Sequence, residues 1–239
     1  FHYNPQTGSE RGTLKDPAVS DRVELAWRNL VRAGFTAENT IYVMCSDHGF
    51  PDPSTGMTTE WEITTRLSHD LVLTDDNVLI PLYIQYPGCT PQRIATPVSS
   101  LDIFPTLLDL LGISEAEHIK NATDGRSLVP LIETGDEDAY GRRFFRCDSR
   151  LMLQVGRSTA IRGRDYKYIR FHDEHRVSID QETSLTPEVL IDLDQDPREK
   201  RNLLLAQPLP LRVSKALEEY RCEFERSEAK AVEFQINYF

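Results

Sequence analysis

The chain has no long hydrophobic run. Its longest apolar stretches, such as residues 78–86, fall far short of the ~18 residues that span a bilayer, so no membrane partner is expected. Its first residues, Phe1-His2-Tyr3-Asn4-Pro5, lack the basic flank and apolar core of a secretion signal. There is no initiator Met either, and the sequence is expected to begin inside a longer protein. Positive charge is in deficit: 27 Lys and Arg stand against 38 Asp and Glu, a net charge of −11. Phosphate binding wants a basic face, so nucleic acid is not an expected partner. An anionic small molecule stays open, because one local basic pocket outweighs a remote surface charge. Cysteine is scarce. Cys45, Cys89, Cys147 and Cys222 form no C-x-x-C pair, which removes the zinc and redox motifs. Two disulfides can be drawn among them, and buried free thiols are the simpler expectation. Internal repeats and low-complexity tracts are missing as well.

What is there suits a globular α/β protein. Of 239 residues, 39% are hydrophobic and 27% charged, enough for one large domain or a medium and a small one. Residues 17–34 carry Val19, Val23, Ala26, Trp27, Leu30 and Val31 on one helical face, with Pro17 suited to open the helix and Gly34 to end it. Residues 40–46 then read as a buried strand, apolar without alternation, as in a parallel sheet. A second buried strand is expected over 78–86, closed by Pro87-Gly88. A helix over 101–111 has Asp102 in its first turn and Gly112 at its end. Between the two strands, residues 50–76 read as a long functional loop. The composition changes near residue 135. Short strands are expected at 143–147, 158–162, 165–171 and 188–192, then a helix over 209–228 with Leu211, Leu217 and Phe224 inward. Two parts follow: an α/β core segment over 1–140 and a small antiparallel-sheet subdomain over 141–239.

The strongest local signal is Thr40-Ile41-Tyr42-Val43-Met44-Cys45-Ser46-Asp47-His48-Gly49. A polar cluster directly after a buried strand is where open α/β sheets place ligands. A carboxylate beside an imidazole on a tight turn gives two ligands to one metal, and Gly49 lets the backbone fold around them. The competing reading is a solvated strand-end turn.

Several ordered segments turn this into a resemblance. The run 40–49 is similar to the strand and metal-binding turn of sulfatases, in the alkaline-phosphatase superfamily, which read like T-I-V-V-F-T-S-D-H-G. Pro81-Leu82-Tyr83-Ile84-Gln85-Tyr86-Pro87-Gly88 resembles their P-L-I-I-x-x-P-G strand and loop. Residues 101–112 resemble V-D-I-x-P-T-L-L-D-L-x-G, and 125–131 resemble G-R-S-L-x-P-L. Ala160-Ile161-Arg162 with Tyr166-Lys167-Tyr168-Ile169 resembles A-x-R-x-x-x-Y-K-Y-I. Residues 190–204, with Asp194, Asp196-Pro197 and Asn202-Leu203, resemble L-Y-D-L-x-x-D-P-x-E-x-x-N-L.

The resemblance implies the C-terminal part of an alkaline-phosphatase-like fold, and a sulfuric ester hydrolase acting on a sulfated small molecule or glycan. It implies a divalent metal, most often Ca2+, with Mn2+ or Mg2+ as alternatives. It also implies a formylglycine nucleophile, made from Cys or Ser in C/S-x-P-x-R, that lies outside this chain. Asp47 and His48 map onto the strand-end ligand pair. Many relatives carry Asp-Asn there, and Asp-His also occurs in phosphonate and phosphodiester hydrolases, so the reaction class stays open between sulfate and phosphoryl chemistry. A non-catalytic, truncated or accessory unit is the third reading. Relatives carry a basic residue between the metal turn and the next strand. No Lys lies between Asp47 and Pro81, and His69 is the candidate for that place as general acid or anion donor, with Arg66 as a weaker substitute.

Other patterns are set aside. Cys89-Thr90-Pro91-Gln92-Arg93 matches C-x-P-x-R, but the family's nucleophile precedes the metal turn and opens a helix, and Cys89 does neither. Asp192 to Asp196 begins like an EF-hand loop, with Pro197 in place of the needed Gly. His172 and His175 flank Asp173-Glu174 and read as an exposed turn. Asp75-Asp76-Asn77 reads as a solvated turn, and Arg162, Lys167 and Arg170 as a solvated hairpin face. Asn121-Ala122-Thr123 is a sequon that matters only in a secreted eukaryotic protein. Compartment and oligomeric state are not legible.

Overall fold

The computed structural model describes residues 17–49, 73–113, 123–141, 143–149, 157–172 and 187–238. In chain order the elements are α1 (Pro17–Arg32), β1 (Tyr42–Cys45), α2 (Asp75–Val78), β2 (Leu82–Gln85), α3 (Ile103–Leu110), α4 (Val129–Thr134), α5 (Glu137–Tyr140), β3 (Phe145–Ser149), β4 (Ser158–Arg162), β5 (Tyr166–Phe171), β6 (Glu188–Asp192) and α6 (Leu211–Tyr238). The architecture is α/β, with helices and a small antiparallel sheet. The chain forms two compact units, one from residues 1–47 and 80–141, the other from 48–79 and 142–239. Residues 48, 49 and 73–79, which sequence alone groups with the core segment, thus lie in the second unit. Among the described residues no helix is long and apolar enough to cross a membrane.

In the first unit α1 spans the expected helix, and Gly34 adopts a left-handed φ of +92° just after it. Trp27 packs on Tyr42 with ring centroids 4.5 Å apart. Much of the apolar stripe stays open, however, with Trp27, Leu30 and Val31 each 41% exposed. β1 pairs with β2 in antiparallel fashion, Tyr42 opposite Gln85 and Cys45 opposite Leu82. This differs from the expected buried, parallel-type strand, and Met44 and Tyr83 are exposed. An uninterrupted apolar run specifies neither strand direction nor what covers it.

The helical part of this unit is organised around Asp102. Ser99 and Asp102 form a reciprocal capping box at the 3-10 turn Ser100–Asp102 that leads into α3. The buried Asp102 carboxylate also accepts the Arg126 amide (2.8 Å) and the Tyr140 hydroxyl (2.5 Å). Thr106 Oγ1 donates to the Asp102 carbonyl and accepts the Leu128 amide. A Cβ at Gly125 would overlap the Leu101 carbonyl, so only glycine lets the two segments approach this closely. The D-I-x-P-T and G-R-S-L matches are therefore two halves of one hydrogen-bonded knot.

The second unit is a meander in the order β3-β4-β5-β6, every pair antiparallel. Ala160 lies opposite Ile169, and Ile169 opposite Val189. One residue along, Ile161 faces Tyr168, which faces Leu190. Alternation sends these two sets to opposite faces. The first set packs with Leu73, Phe171 and Ile191. The second is covered by α6 through Val213, Leu217, Tyr220 and Phe224, at the spacing of one helical face. Leu217 and Phe224 point inward as expected. Leu211 does not: it is 72% exposed at the start of the helix, outside that stripe.

Candidate metal centre and the ionic cluster behind it

Beyond β1 the chain bends at Asp47 and His48, which leaves Asp47 exposed and His48 half-buried. His48 Nδ1 donates to the Gly49 carbonyl at 2.7 Å. A proton on Nδ1 puts the imidazole lone pair on Nε2, the form that ligates metals. An exposed carboxylate and an imidazole in this tautomer suit two positions of a divalent-cation shell, against the ~6–8 oxygen donors calcium takes. Among the described residues no group of three or more His, Cys, Asp and Glu is arranged to hold a metal ion. His69 lies outside the described residues.

Gly49 continues the turn. Its amide donates to the Asn77 carbonyl at 2.7 Å, and a Cβ at this position would overlap the Asp76 carbonyl. Glycine is required because the backbone of the turn lies directly against α2. That one-turn helix is closed by Asn77 and Val78 amides on the Thr74 carbonyl.

Asp75-Asp76-Asn77 is not the solvated turn expected from sequence. Arg162 donates to both oxygens of Asp75, and Lys167 Nζ lies 2.5 Å from Asp75 Oδ1. Lys167 Nζ is also 2.5 Å from Glu199 Oε1 and donates to the Leu73 carbonyl at 3.1 Å. Glu199 in turn accepts the Asp75 amide. Lys167 is wholly buried and Glu199 is 2% exposed. Two cations and two carboxylates thus balance around the buried Lys167 and Glu199, as buried charge requires. Burial pushes Asp75 up, but Arg162 and Lys167 outweigh it and hold the carboxyl below its usual range. Burial dominates at Glu199, and its carboxyl titrates above the usual range despite Lys167.

The reading of Arg162, Lys167 and Arg170 as a solvated hairpin face is corrected by the register. Arg162 lies opposite Lys167, and Lys167 opposite Ile191, so both cations stand on the face that packs with Leu73. Arg170 is on the other side, half-exposed, over the Phe224 ring and paired with Glu225. His172 is not on an open turn: its Nε2 is 2.9 Å from Thr159 Oγ1 and its ring stacks on Phe224. Burial and the nearby Arg157 lower its pKa. His175 and Asn121 lie outside the described residues.

Cys89 sits in the turn after β2, where its amide donates to the Tyr86 carbonyl and its Sγ accepts the Tyr86 amide at 3.5 Å. No helix opens there. All four cysteines are free thiols, with Cys45 and Cys222 exposed rather than buried. In the EF-hand-like run, Asp192 caps the Gln195 amide and pairs with Arg212, while Asp196 accepts the Arg201 amide. These carboxylates hold a turn.

Glu199 is the residue that sequence reading missed. It stands within the D-P-x-E-x-x-N-L match, but a lone Glu carries no sign that it is buried. Its φ of +55°, rare for a residue other than glycine, is set by the fold around it.

Comparison with known proteins agrees with this layout. The family described as N-sulphoglucosamine sulphohydrolase, C-terminal, matches residues 69–225. A choline-sulfatase of Rhizobium meliloti is 33% identical over 166 residues, covering 70% of this chain and 27% of the relative. An arylsulfatase K of Gallus gallus is 30% identical over 177 residues, 72% of this chain and 29% of the relative. A solved structure, described in complex with its substrate D-glucosamine-2-N,6-O-disulfate, superposes with a TM-score of 0.62 at 23% identity, over 89% of this chain and 38% of that one. That likeness shows the fold. The chain belongs to the N-sulphoglucosamine sulphohydrolase C-terminal family, among the sulfatases of the alkaline-phosphatase superfamily. It spans less than a third of the length of these two curated relatives.

Proposed function

We propose that this chain is the C-terminal portion of a metal-dependent sulfatase that hydrolyses sulfate esters. Residues 1–140 supply part of its catalytic core and 141–239 the small subdomain, against whose sheet residues 73–79 of the core segment pack. Asp47 and His48 ligate the divalent cation, Ca2+ or else Mn2+ or Mg2+, through a carboxylate oxygen and Nε2. His69 donates a proton or hydrogen bond to the sulfate or leaving-group oxygen. The formylglycine nucleophile is supplied outside these residues. Such a cation, when bound, withdraws charge from the ester oxygens. The observation that carries this reading is the turn after β1, where an exposed carboxylate precedes an imidazole whose Nδ1 proton is already committed to the Gly49 carbonyl. The substrate is a sulfated small molecule or glycan. One relative is named a choline-sulfatase, and one protein of the same fold is described with a disulfated glucosamine.

Asp-His in place of Asp-Asn favours a second reading, a phosphonate monoester or phosphodiester hydrolase on the same scaffold. The test is turnover of an aryl sulfate and of a phosphonate monoester, side by side, by the whole protein and by this chain alone. The sulfatase reading expects the whole protein to prefer the sulfate and this chain alone to be inactive. Preference for the phosphonate supports the second reading. An inactive whole protein leaves the third, a non-catalytic unit.

A further inference from the structure

The buried ionic cluster of the second unit stands in series with the metal turn. The Gly49 amide rests on the Asn77 carbonyl, and Asn77 closes the single turn of α2. Asp75, at the start of that turn, is gripped from the sheet by Arg162 and Lys167, and its own amide is taken by Glu199. Lys167 additionally holds the carbonyl of Leu73, just before α2. Each link is a direct hydrogen bond or ion pair, and all of them lie within residues 48–79 and 142–239.

One turn of helix does not hold itself, because helix nucleation is unfavourable and so short a piece has almost no internal bonds. Leu73 and Val78 give α2 an apolar seat on the sheet. An apolar seat is not directional, whereas ion pairs with a fixed register are. Buried charge serves better to select one arrangement than to add stability.

From this series of contacts we infer that Lys167 and Glu199 are positioning residues for the metal turn, acting through Asp75 and α2 to fix where Gly49, and hence His48, stands. The inference rests on the metal role given to His48 under Proposed function. It adds a remote pair of residues on β5 and beyond β6 that never touches the substrate.

The test is amide hydrogen exchange on the full chain, read at Gly49, together with calcium titration of the whole protein. The variants are Lys167→Met, Glu199→Gln and the charge-balanced pair of both. The pair removes one cation and one carboxylate and keeps Arg162 on Asp75, so it carries the test if Lys167→Met fails to fold. Arg143→Ala, which breaks the exposed pair with Glu219, is the control. Exchange at Gly49 is expected to rise at least ~10-fold in the charge-balanced variant while Ile169 and Leu190 stay at wild-type rates, with calcium affinity falling by a similar factor. Gly49 protection unchanged in a folded variant would overturn the inference. So would an equal rise at Gly49, Ile169 and Leu190, which marks a loss of general stability. A wild-type whole protein that binds no divalent cation sinks the metal reading itself, and the exchange result at Gly49 still decides whether the cluster holds the turn.

Discussion

The two units of this chain bury their apolar residues to very different degrees. In the second, Ala160, Ile161, Tyr168, Ile169, Val189, Leu190 and Ile191 are all closed off, with segment 73–79 against one face of the sheet and α6 on the other. In the first, Leu128, Leu131 and Tyr140 are buried, while Trp27, Leu30, Val31, Met44, Tyr83, Leu101, Phe104 and Leu111 stand open. A four-stranded sheet with a layer on each face satisfies itself. A two-stranded ribbon and amphipathic helices do not, since two strands alone are marginal in water. The second unit can therefore tolerate a wholly buried lysine, because its surroundings supply every partner that the charge needs.

Core truncation should separate the units most strongly. Leu190→Ala removes a wholly buried side chain that lies opposite Tyr168 in the cluster that α6 covers, and is expected to cost about 2–5 kcal/mol in urea unfolding. Leu30→Ala, on the open face of α1, should cost about 1 kcal/mol or less. Equal losses would break the comparison. A smaller effect is expected at Asn202, whose Oδ1 accepts the Leu190 and Leu204 amides while its Nδ2 donates to the Glu188 carbonyl. Asn202→Ala leaves these buried groups short of a partner and should cost about 1–3 kcal/mol by the same measurement.

The pH dependence of the second unit sharpens the picture further. Burial raises the carboxyls of Asp75, Asp148, Glu188 and Glu228, but their partners, arginine at each and Lys167 also at Asp75, prevail and hold all four low. Their contribution is present above the ordinary carboxylate range and is lost as pH falls through the lowered values. Glu199 has the opposite sign. Its raised carboxyl binds a proton more readily folded than unfolded, so its contribution is complete below the ordinary range and fades as pH rises toward the raised value. Glu199→Gln should remove that decline, which urea midpoints from pH 4 to 8 would reveal. A slope identical to wild type would contradict the direction assigned to Glu199. At the small end, Arg143→Ala breaks an exposed pair and should change stability by no more than about 0.5 kcal/mol.

Much of this was legible in the sequence where period and packing coincide. The strands β4, β5 and β6 fall where short apolar, β-branched runs end in turns, and the stripe of α6, Leu211 apart, follows helical spacing. The order of the motifs carried the family. Reading failed where a third element decides the outcome. Lys167 looks solvated until the register puts it on a face that segment 73–79 covers, Asp75 looks solvated until its own segment meets that face, and the α1 stripe looks buried until nothing among the described residues is found to cover all of it. Strand direction at β1 failed for a similar reason: an apolar run states that it wants burial, and pairing depends on a partner strand far along the chain, Tyr42 with Gln85 and Cys45 with Leu82. Of the candidate site, the Asp47-His48-Gly49 turn was visible as a motif. The contact of Gly49 with α2 was not, because a glycine in sequence does not say what approaches it.

The proposed chemistry depends above all on Asp47 and His48. The decisive measurement is aryl sulfate turnover by the whole protein in three forms: wild type, Asp47→Ala and Cys89→Ser. With Asp47 a ligand to the cation, as proposed, Asp47→Ala should lower kcat/KM by orders of magnitude, while Cys89→Ser, a turn residue after β2, should leave the rate near wild type. His69→Ala in the same assay should fall on the order of 10²–10⁴-fold if it is the general acid. Full activity in Asp47→Ala, with activity abolished in Cys89→Ser, would rule out the Asp47-His48 turn and place the chemistry at Cys89.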